Sequence, residues 1–243
     1  MKKSISALIF RLLGLAISVT GIVLHLISCK LPEAAFMGKH VLAYFTIQTN
    51  FFTAGIFLYL VLKTIVLSIK NKGLVMASMN KNVHLACTFY ITITMLVYWL
   101  VLCPTGGLPK IPMLIASNLF LHTITPLMSI FECLFFFEHG SLKVKDSLKW
   151  LVYPIIYLIS VYIIGAVSDE PYYKLMGKWL MYPYPFLDPQ FVGVGGVVGC
   201  VIGLTVFFIL FGALYIFLDN KLKARLGKKK AGKECAEDEN SPA

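Results

Sequence analysis

Residues 192–218 read VGVGGVVGCVIGLTVFFILFGALYIFL and contain no charged side chain. About 20 consecutive apolar residues suffice for a helix to cross the hydrocarbon core of a bilayer, so this stretch predicts a transmembrane helix. Working outward from it, five further apolar runs occur at roughly 6–28, 42–62, 83–103, 112–137 and 148–168. The sequence therefore predicts an all-α polytopic membrane protein, with six transmembrane helices in one bundle formed by residues 1–218.

The composition of the whole chain excludes an ordinary soluble protein. Hydrophobic residues make up 58% of the 243 residues and charged residues only 14%, and the mean hydropathy is +0.79. Soluble domains carry about 25% charged residues, which they need to cover their surface. The net charge of +10 comes from basic residues between the apolar runs, where they set topology and contact anionic headgroups. This placement argues against a nucleic-acid partner.

The distribution of basic residues predicts the orientation. With the N-terminus inside, 17 of the 22 Lys and Arg residues lie in the inner segments and 5 in the outer ones. Because inner segments of membrane proteins are enriched in Lys and Arg, both termini are predicted to be cytoplasmic, and the expected localisation is the cell membrane. Residues 219–243 are highly charged and nearly free of apolar side chains, which predicts a disordered cytoplasmic tail.

Cysteines and histidines do not follow the spacing of a metal site. The six cysteines form no C-x-x-C pair, and no second histidine accompanies His122 at ligand spacing, so no metal or other cofactor is predicted. A disulfide between Cys29 and Cys103, which are expected at the same membrane surface, stays open. Residues 26–29 resemble a lipoprotein cleavage box, but the preceding run exceeds the signal-peptide core of about 7–15 residues, so an uncleaved first helix is predicted.

Polar side chains within the apolar runs are the best indicators of function, because at membrane depth they face the bundle interior or a wet cavity. In the fourth run, spacings of four and three residues put five of them on one helical face: Asn118, His122, Thr125, Ser129 and Glu132. The second run has three in the same arrangement: Thr46, Asn50 and Thr53. A buried histidine beside hydroxyls has three interpretations: a general base, a proton relay in a transporter, or a structural core histidine.

Small residues in the first and sixth runs predict helix packing, since they let two backbones approach closely. They recur at helical spacing in two sets: Gly14, Ser18 and Gly21, and Gly195, Gly199 and Gly203.

Three stretches give the chain a resemblance to a known family. They are YFTIQTN at 44–50, the segment from His122 to Glu132, and Trp179 followed by YPFLD at 184–188. In order and in position, they resemble landmarks of the androgen-induced transmembrane proteins and their bacterial six-span relatives. The androgen-induced proteins hydrolyse fatty acid esters of hydroxy fatty acids. The resemblance covers about residues 5–218, although Pro126 follows His122 by four residues rather than five and the tail differs.

The resemblance implies a metal-independent ester hydrolase with an intramembrane threonine and histidine. Thr46 matches the catalytic threonine and His122 the histidine. A threonine hydroxyl needs an adjacent base at neutral pH, and a neutral histidine within the bundle can accept its proton. Thr46 lies about four residues into its predicted span and His122 about ten, so uneven helix starts or tilt must bring them level.

Four further residues are predicted to contact the substrate, which is expected to be a membrane lipid or a lipid-like ester. Asn50 and Asn118 lie one turn from the proposed pair and are candidates to stabilise an oxyanion. Trp179 and Asp188 belong to the third stretch, where residues 179–189 are interpreted either as a lid over a lipid site or as an interfacial aromatic belt.

Two alternatives to the hydrolase stay open. The polar faces of the second and fourth runs suit a transporter or a small-molecule binding protein with a polar pathway between the helices. A structural or signalling protein without a site is the other alternative. The sequence does not predict the oligomeric state.

Overall fold

The computed structural model describes residues 2–34, 40–106, 111–140, 142–175 and 177–239. Within these ranges, six helices are long and apolar enough to cross a membrane, which confirms the predicted all-α polytopic bundle. They are α1 (Lys2–Ser28), α2 (Phe45–Lys70), α3 (Lys81–Leu102), α4 (Pro112–Phe136), α5 (Val144–Val167) and α6 (Pro189–Glu239).

Three of these helices change type along their length. α3 is α-helical at Lys81–Val97 and a π-helix at Tyr98–Leu102, followed by a last turn at Cys103–Gly106. α4 has a π segment at Phe120–Ile124 between α-helical parts at Pro112–Leu119 and Thr125–Phe136. α5 begins as a 3-10 helix at Val144–Leu151 and becomes α-helical at Val152–Val167.

The described connections add a few short elements. Single 3-10 turns lie at Pro32–Ala34, Val41–Ala43 and Pro185–Leu187. Between α5 and α6, an antiparallel hairpin joins β1 (Tyr173–Leu175) and β2 (Lys178–Leu180). Because the number of spans is even, both chain ends lie on one face of the bundle, called the terminal face here; the opposite face is called the outer face.

Two ends differ from the simplest expectation. α2 continues past its apolar run to Lys70. α6 continues as helix to Glu239, whereas composition predicted disorder from 219 onward. This part of α6 is rich in Lys, Ala and Glu, which are strong helix formers and extend a helix that a membrane span has already nucleated. Near its start, α6 kinks at Gly193, whose φ of 73° lies in the region that favours glycine.

Small residues pack α1 closely against its neighbours, as predicted. A Cβ added at Gly14 would come within 2.6 Å of the Phe57 ring on α2, and one at Gly21 within 2.7 Å of Phe120 Cβ on α4. The same expectation is wrong for the sixth span within the described chain. Nothing there lies within 4 Å of a Cβ built at the three ridge positions, Gly195, Gly199 and Gly203. The disulfide left open above is not formed between Cys29 and Cys103.

The helices are buried to very different extents, and this difference positions the site. In the most apolar 18-residue part of α3, 56% is buried inside the bundle, whereas only 17% is buried in the corresponding parts of α5 and α6. Phe89 of α3 anchors the two peripheral helices, since its ring centroid lies 5.0 Å from that of Trp150 and 5.7 Å from that of Phe208. α3 is therefore the centre of the bundle, with α5 and α6 attached to it through aromatic contacts.

Candidate active site

Pro126 explains why α4 is irregular around His122. Proline has no N–H, so the carbonyl four residues earlier, that of His122, loses its helical partner, and the helix passes through the π segment at Phe120–Ile124. The indole Nε1 of Trp99 donates to this carbonyl at 3.3 Å and to Thr123 Oγ1 at 3.0 Å. Single π turns are frequent at functional sites, and this one fixes the backbone that carries the imidazole.

The π segment of α3 is also followed by a proline, and it lies against the π segment of α4. Pro104 follows Tyr98–Leu102 by two residues. The ring of Tyr98 stacks on the His122 imidazole, with centroids 3.7 Å apart and planes inclined by 12°. This contact covers one face of the imidazole and leaves its ring edge to interact with other groups.

The structure brings the two predicted catalytic residues together. Thr46 Oγ1 lies 3.3 Å from His122 Nε2. Thr46 is the second residue of α2, whereas His122 lies in the middle of α4, so the uneven helix starts that the pairing required are present. His122 is 5% exposed, and Thr46 is half-buried.

The hydrogen bonds of His122 determine its tautomer. Nδ1 lies 3.1 Å from the carbonyl oxygen of Asn118. A carbonyl only accepts, so Nδ1 carries the proton and Nε2 has a free lone pair. That lone pair faces the Thr46 hydroxyl. The arrangement is the one a general base needs in order to activate a hydroxyl nucleophile.

The two predicted asparagines have other contacts than an oxyanion. Asn50 is fully buried, and its Nδ2 donates to the carbonyls of Thr46 at 2.9 Å and Leu121 at 3.1 Å. Both amide protons are thus engaged, and Asn50 links α2 to α4 beside the pair. Its Oδ1 is buried without a hydrogen-bond partner among the described residues. Asn118 contributes its backbone carbonyl, as described for His122.

Tyr184 completes the surroundings of Thr46, and sequence reasoning missed it. Its buried hydroxyl interacts with the hydroxyl and the backbone N–H of Thr46. Burial raises the pKa of Tyr184, and the contacts with Thr46 only partly oppose this rise, so the phenol keeps its proton at neutral pH. Tyr157, whose hydroxyl accepts from Phe45 N at 3.2 Å, also interacts with Tyr184. Two tyrosine hydroxyls therefore lie at the N-terminus of α2.

A cavity of about 130 Å³, called the outer cavity here, opens beside Thr46. Its walls are mostly apolar and come from α2, α3, α5, α6 and the loop before α6, including Tyr184 and Phe186. A dry engineered cavity of about 150 Å³ accommodates benzene, so this space suits a short apolar segment. Ile155 lines the outer cavity and is 53% exposed. The cavity therefore opens toward the lipid side of α5.

The other two predicted substrate contacts, Trp179 and Asp188, are not among the residues that line the outer cavity. Trp179 is on β2, 45% exposed, with the ammonium of Lys174 5.8 Å from its ring centroid. Asp188 is buried, and its carboxylate accepts from the backbone N–H groups of Met181 at 3.1 Å and Gln190 at 2.8 Å. Asp188 thus ties the hairpin to the start of α6, and it supports the loop that carries Tyr184 and Phe186.

A second polar cluster, called the ionic cluster here, lies nearer the terminal face and was not predicted. Arg11 donates to Glu132 Oε1 through Nε at 3.1 Å and Nη2 at 2.8 Å, and to the Ala77 carbonyl through Nη1 at 3.0 Å. His84 Nε2 lies 2.7 Å from Glu132 Oε2. Sequence analysis counted Arg11 only toward topology, although a charge inside an apolar run signals that a partner is needed.

Comparison of the chain with protein-family models, with curated proteins and with solved structures found no match. The resemblance to the androgen-induced transmembrane proteins therefore stays a prediction that rests on the three stretches. Within the described ranges, no group of three or more His, Cys, Asp or Glu side chains is placed to hold a metal ion.

Proposed function

We propose that the protein is an integral-membrane lipid ester hydrolase of the cell membrane that uses Thr46 as nucleophile and His122 as general base. The observation that carries the proposal is the 3.3 Å contact between Thr46 Oγ1 and the unprotonated Nε2 of His122. A threonine hydroxyl alone is a weak nucleophile at neutral pH, and a histidine in this position removes that limitation.

The proposed reaction has two stages. Thr46 Oγ1 attacks the ester carbonyl carbon while its proton passes to His122 Nε2, and the imidazolium then protonates the departing alkoxide. This leaves an acyl ester on Thr46 and releases the alcohol. Water attacks the acyl ester with His122 again as base, and the carboxylic acid leaves as Thr46 recovers its proton.

Tyr184 is the donor best placed to stabilise the oxyanion that forms at each stage. Its protonated phenol lies against Thr46, and the acyl carbon that is bound to Thr46 Oγ1 would lie within reach of the same group. Asn50 is less suited, because both protons of its amide are used by backbone carbonyls. Tyr184 thus takes the role that the sequence had suggested for the asparagines.

The outer cavity supports a lipid-like substrate. It is mainly apolar, touches Thr46 and opens toward lipid beside α5, so an ester within the bilayer reaches the pair without crossing water. Fatty acid esters of hydroxy fatty acids are the substrate class that the family resemblance implies. The cavity itself supports the broader class of fatty acyl esters.

Labelling with a fluorophosphonate tests the proposal directly. Purified protein should form a covalent adduct at Thr46, located by tandem mass spectrometry, and should hydrolyse members of an acyl-ester panel. Thr205→Ala is the matched control, because Thr205 lines the same cavity but its hydroxyl donates to the Val201 carbonyl at 2.8 Å. Labelling lost in Thr46→Ala and kept in Thr205→Ala supports the proposal; labelling at another residue or at none contradicts it.

A lipid-binding or transport function is the second candidate, favoured by an apolar cavity that needs no chemistry to hold a ligand. The polar faces give a transport pathway less support. On α2, two threonine hydroxyls are bonded to carbonyls of their own helix, Thr53 to Thr49 at 3.0 Å and Thr49 to Thr46 at 3.1 Å. Saturable ligand binding or uptake in proteoliposomes, without adduct or turnover, would favour this candidate.

A further inference from the structure

A second cavity, of about 320 Å³, lies between α4 and α6 near the terminal face and is called the terminal cavity here. It is separate from the outer cavity and shares no lining residue with it. Its apolar walls include Ile130, Leu134, Leu218 and Leu222. Leu134 is 45% exposed and Leu218 52% exposed, so the terminal cavity is open sideways, toward the outside of the bundle.

The acidic side chain that lines the terminal cavity, Asp219, already has hydrogen-bond partners. Asp219 Oδ1 lies 2.6 Å from His139 Nδ1, and Oδ2 accepts from Gly140 N at 2.7 Å. Lys223 Nζ donates to the Gly140 carbonyl at 2.9 Å. These bonds tie α6 to the connection that follows α4, and they hold the two walls of the cavity in fixed relation.

Two basic residues remain at the rim to meet a ligand. Lys221 and Arg225 both line the terminal cavity and are solvent-exposed. The Lys221 ammonium lies 5.9 Å from the centroid of the Phe217 ring, a weak contact that leaves its hydrogen-bond donors accessible. Since Asp219 is bonded to its own partners and is outnumbered by Lys221 and Arg225 in the lining, the rim carries an excess of positive charge above an apolar slot.

We infer that the terminal cavity binds an anionic phospholipid from the leaflet next to the terminal face. The phosphate group is held by Lys221 and Arg225 through charge-assisted hydrogen bonds, and an acyl chain lies against Leu134 and Leu222. Basic pockets between transmembrane helices on the cytoplasmic side are suited to anionic headgroups, and the charge distribution predicts that this face is cytoplasmic. The inference does not depend on ester hydrolysis at Thr46, which lies toward the outer face.

Lipid titration of the purified full chain in detergent tests the inference. Dioctanoyl phosphatidylglycerol should bind saturably by native mass spectrometry and raise the thermal unfolding midpoint, and dioctanoyl phosphatidylcholine should bind at least about tenfold more weakly. Lys221→Gln with Arg225→Gln should weaken phosphatidylglycerol binding by about tenfold or more. The matched control is Lys70→Gln with Lys72→Gln, two exposed lysines elsewhere on the terminal face, which should change binding by less than about twofold.

Two further experiments distinguish a phospholipid site from a site for free anions. Leu134→Trp should fill the slot and weaken phosphatidylglycerol binding while the basic rim is intact. Inorganic phosphate should compete only at concentrations far above those of the lipid, because it gains nothing from the apolar walls. If phosphatidylglycerol binding falls equally in the Lys221→Gln, Arg225→Gln variant and in the Lys70→Gln, Lys72→Gln control, the lipid is held by diffuse surface attraction and the site is overturned. Competition by phosphate at lipid concentrations would show a free-anion site and overturn the role of the slot.

Discussion

The two polar clusters within the bundle differ in their burial and in their surroundings. In the ionic cluster near the terminal face, Arg11 and Glu132 are each 1% exposed, and Glu132 is in contact with both Arg11 and His84. In the pair near the outer face, Thr46 is half-buried and lines the outer cavity. In the ionic cluster the charged groups are closed off from solvent and contact one another, whereas the Thr46 hydroxyl lies beside open space.

This contrast separates a structural role from a functional one. Buried charges with complete sets of partners join helices, and α1, α3 and α4 each contribute to the ionic cluster through Arg11, His84 and Glu132. A threonine and a neutral histidine contribute little to helix association by comparison, and their placement beside a cavity agrees with the proposed catalytic role. Substitutions in the Thr46–His122 pair should therefore abolish activity and keep the fold. Substitutions in the ionic cluster should destabilise the fold.

The largest expected effect is on turnover in Thr46→Ala. The change removes the proposed nucleophile, so ester hydrolysis should fall by at least about 10³-fold. Stability should fall by no more than about 2 kcal/mol, since only the contacts of one half-buried hydroxyl with His122 and Tyr184 are lost. Thr46→Ser should keep part of the activity. Hydrolysis rates on the acyl-ester panel, together with thermal unfolding in detergent, measure both quantities.

His122→Ala serves as the internal control for this prediction. Because Thr46 and His122 act as a unit, the double variant should be little slower than either single one. Strictly multiplicative losses, or an active Thr46→Ala, would remove Thr46 from the mechanism and make Thr49 and Thr53 the next candidates.

The second prediction concerns the ionic cluster. Glu132→Ala leaves the buried guanidinium of Arg11 without its counter-charge and the ring of His84 without its carboxylate partner, which should lower the free energy of unfolding by about 3–5 kcal/mol. Arg11→Met combined with Glu132→Leu should be markedly more stable than Glu132→Ala alone, because no unpaired buried charge is left. Unfolding in mixed micelles gives the comparison. A Glu132→Ala protein of unchanged stability that loses only activity would reverse the assignment of the two clusters.

The bundle was predictable because hydropathy alone identifies membrane spans. Runs of about 20 apolar residues predicted all six helices, and the spacing of Asn118, His122 and Glu132 predicted a face turned inward. The sequence did not predict which helices lie next to each other. Pairing Arg11 with Glu132 requires knowing that α1 packs against α4, and no local pattern states which helices are neighbours.

Local irregularities were less predictable, although some left a signal. Pro104 and Pro126 each mark a π segment, because each removes a helical N–H within an apolar run. Tyr184 left a weaker signal. It belongs to a proline-rich loop without periodicity, and only the fold brings its hydroxyl to Thr46. In the same loop the sequence favoured Trp179 and Asp188, neither of which lines the outer cavity.

Tyr184→Phe should give the third, smaller effect, and it tests whether Tyr184 stabilises the oxyanion at the Thr46–His122 site. Loss of one oxyanion donor typically costs about 10²–10³-fold in turnover, but the neighbouring Tyr157 offers a second hydroxyl, so about 10–10²-fold is expected. The Michaelis constant should change little, because the phenol acts on the charge that develops during reaction. Steady-state kinetics separate the two parameters. A rise in the Michaelis constant at constant turnover would make Tyr184 a wall of the cavity and nothing more.

The smallest expected effect is that of Trp179→Ala, which separates the two interpretations of the loop at 179–189. Trp179 is on an exposed hairpin with its ring beside Lys174, so its removal should change turnover and the Michaelis constant by less than about twofold. Phe186→Ala is the matched comparison, because Phe186 lines the outer cavity beside Thr46; it should raise the Michaelis constant for long-chain esters several-fold, as about 25 cal/mol is lost for each Å² of apolar contact. If the aromatic segment is a lid along its whole length, both variants should weaken substrate binding together. If only its second half forms the wall of the site, as the geometry indicates, Phe186→Ala alone should do so, and Trp179 belongs to the interfacial belt.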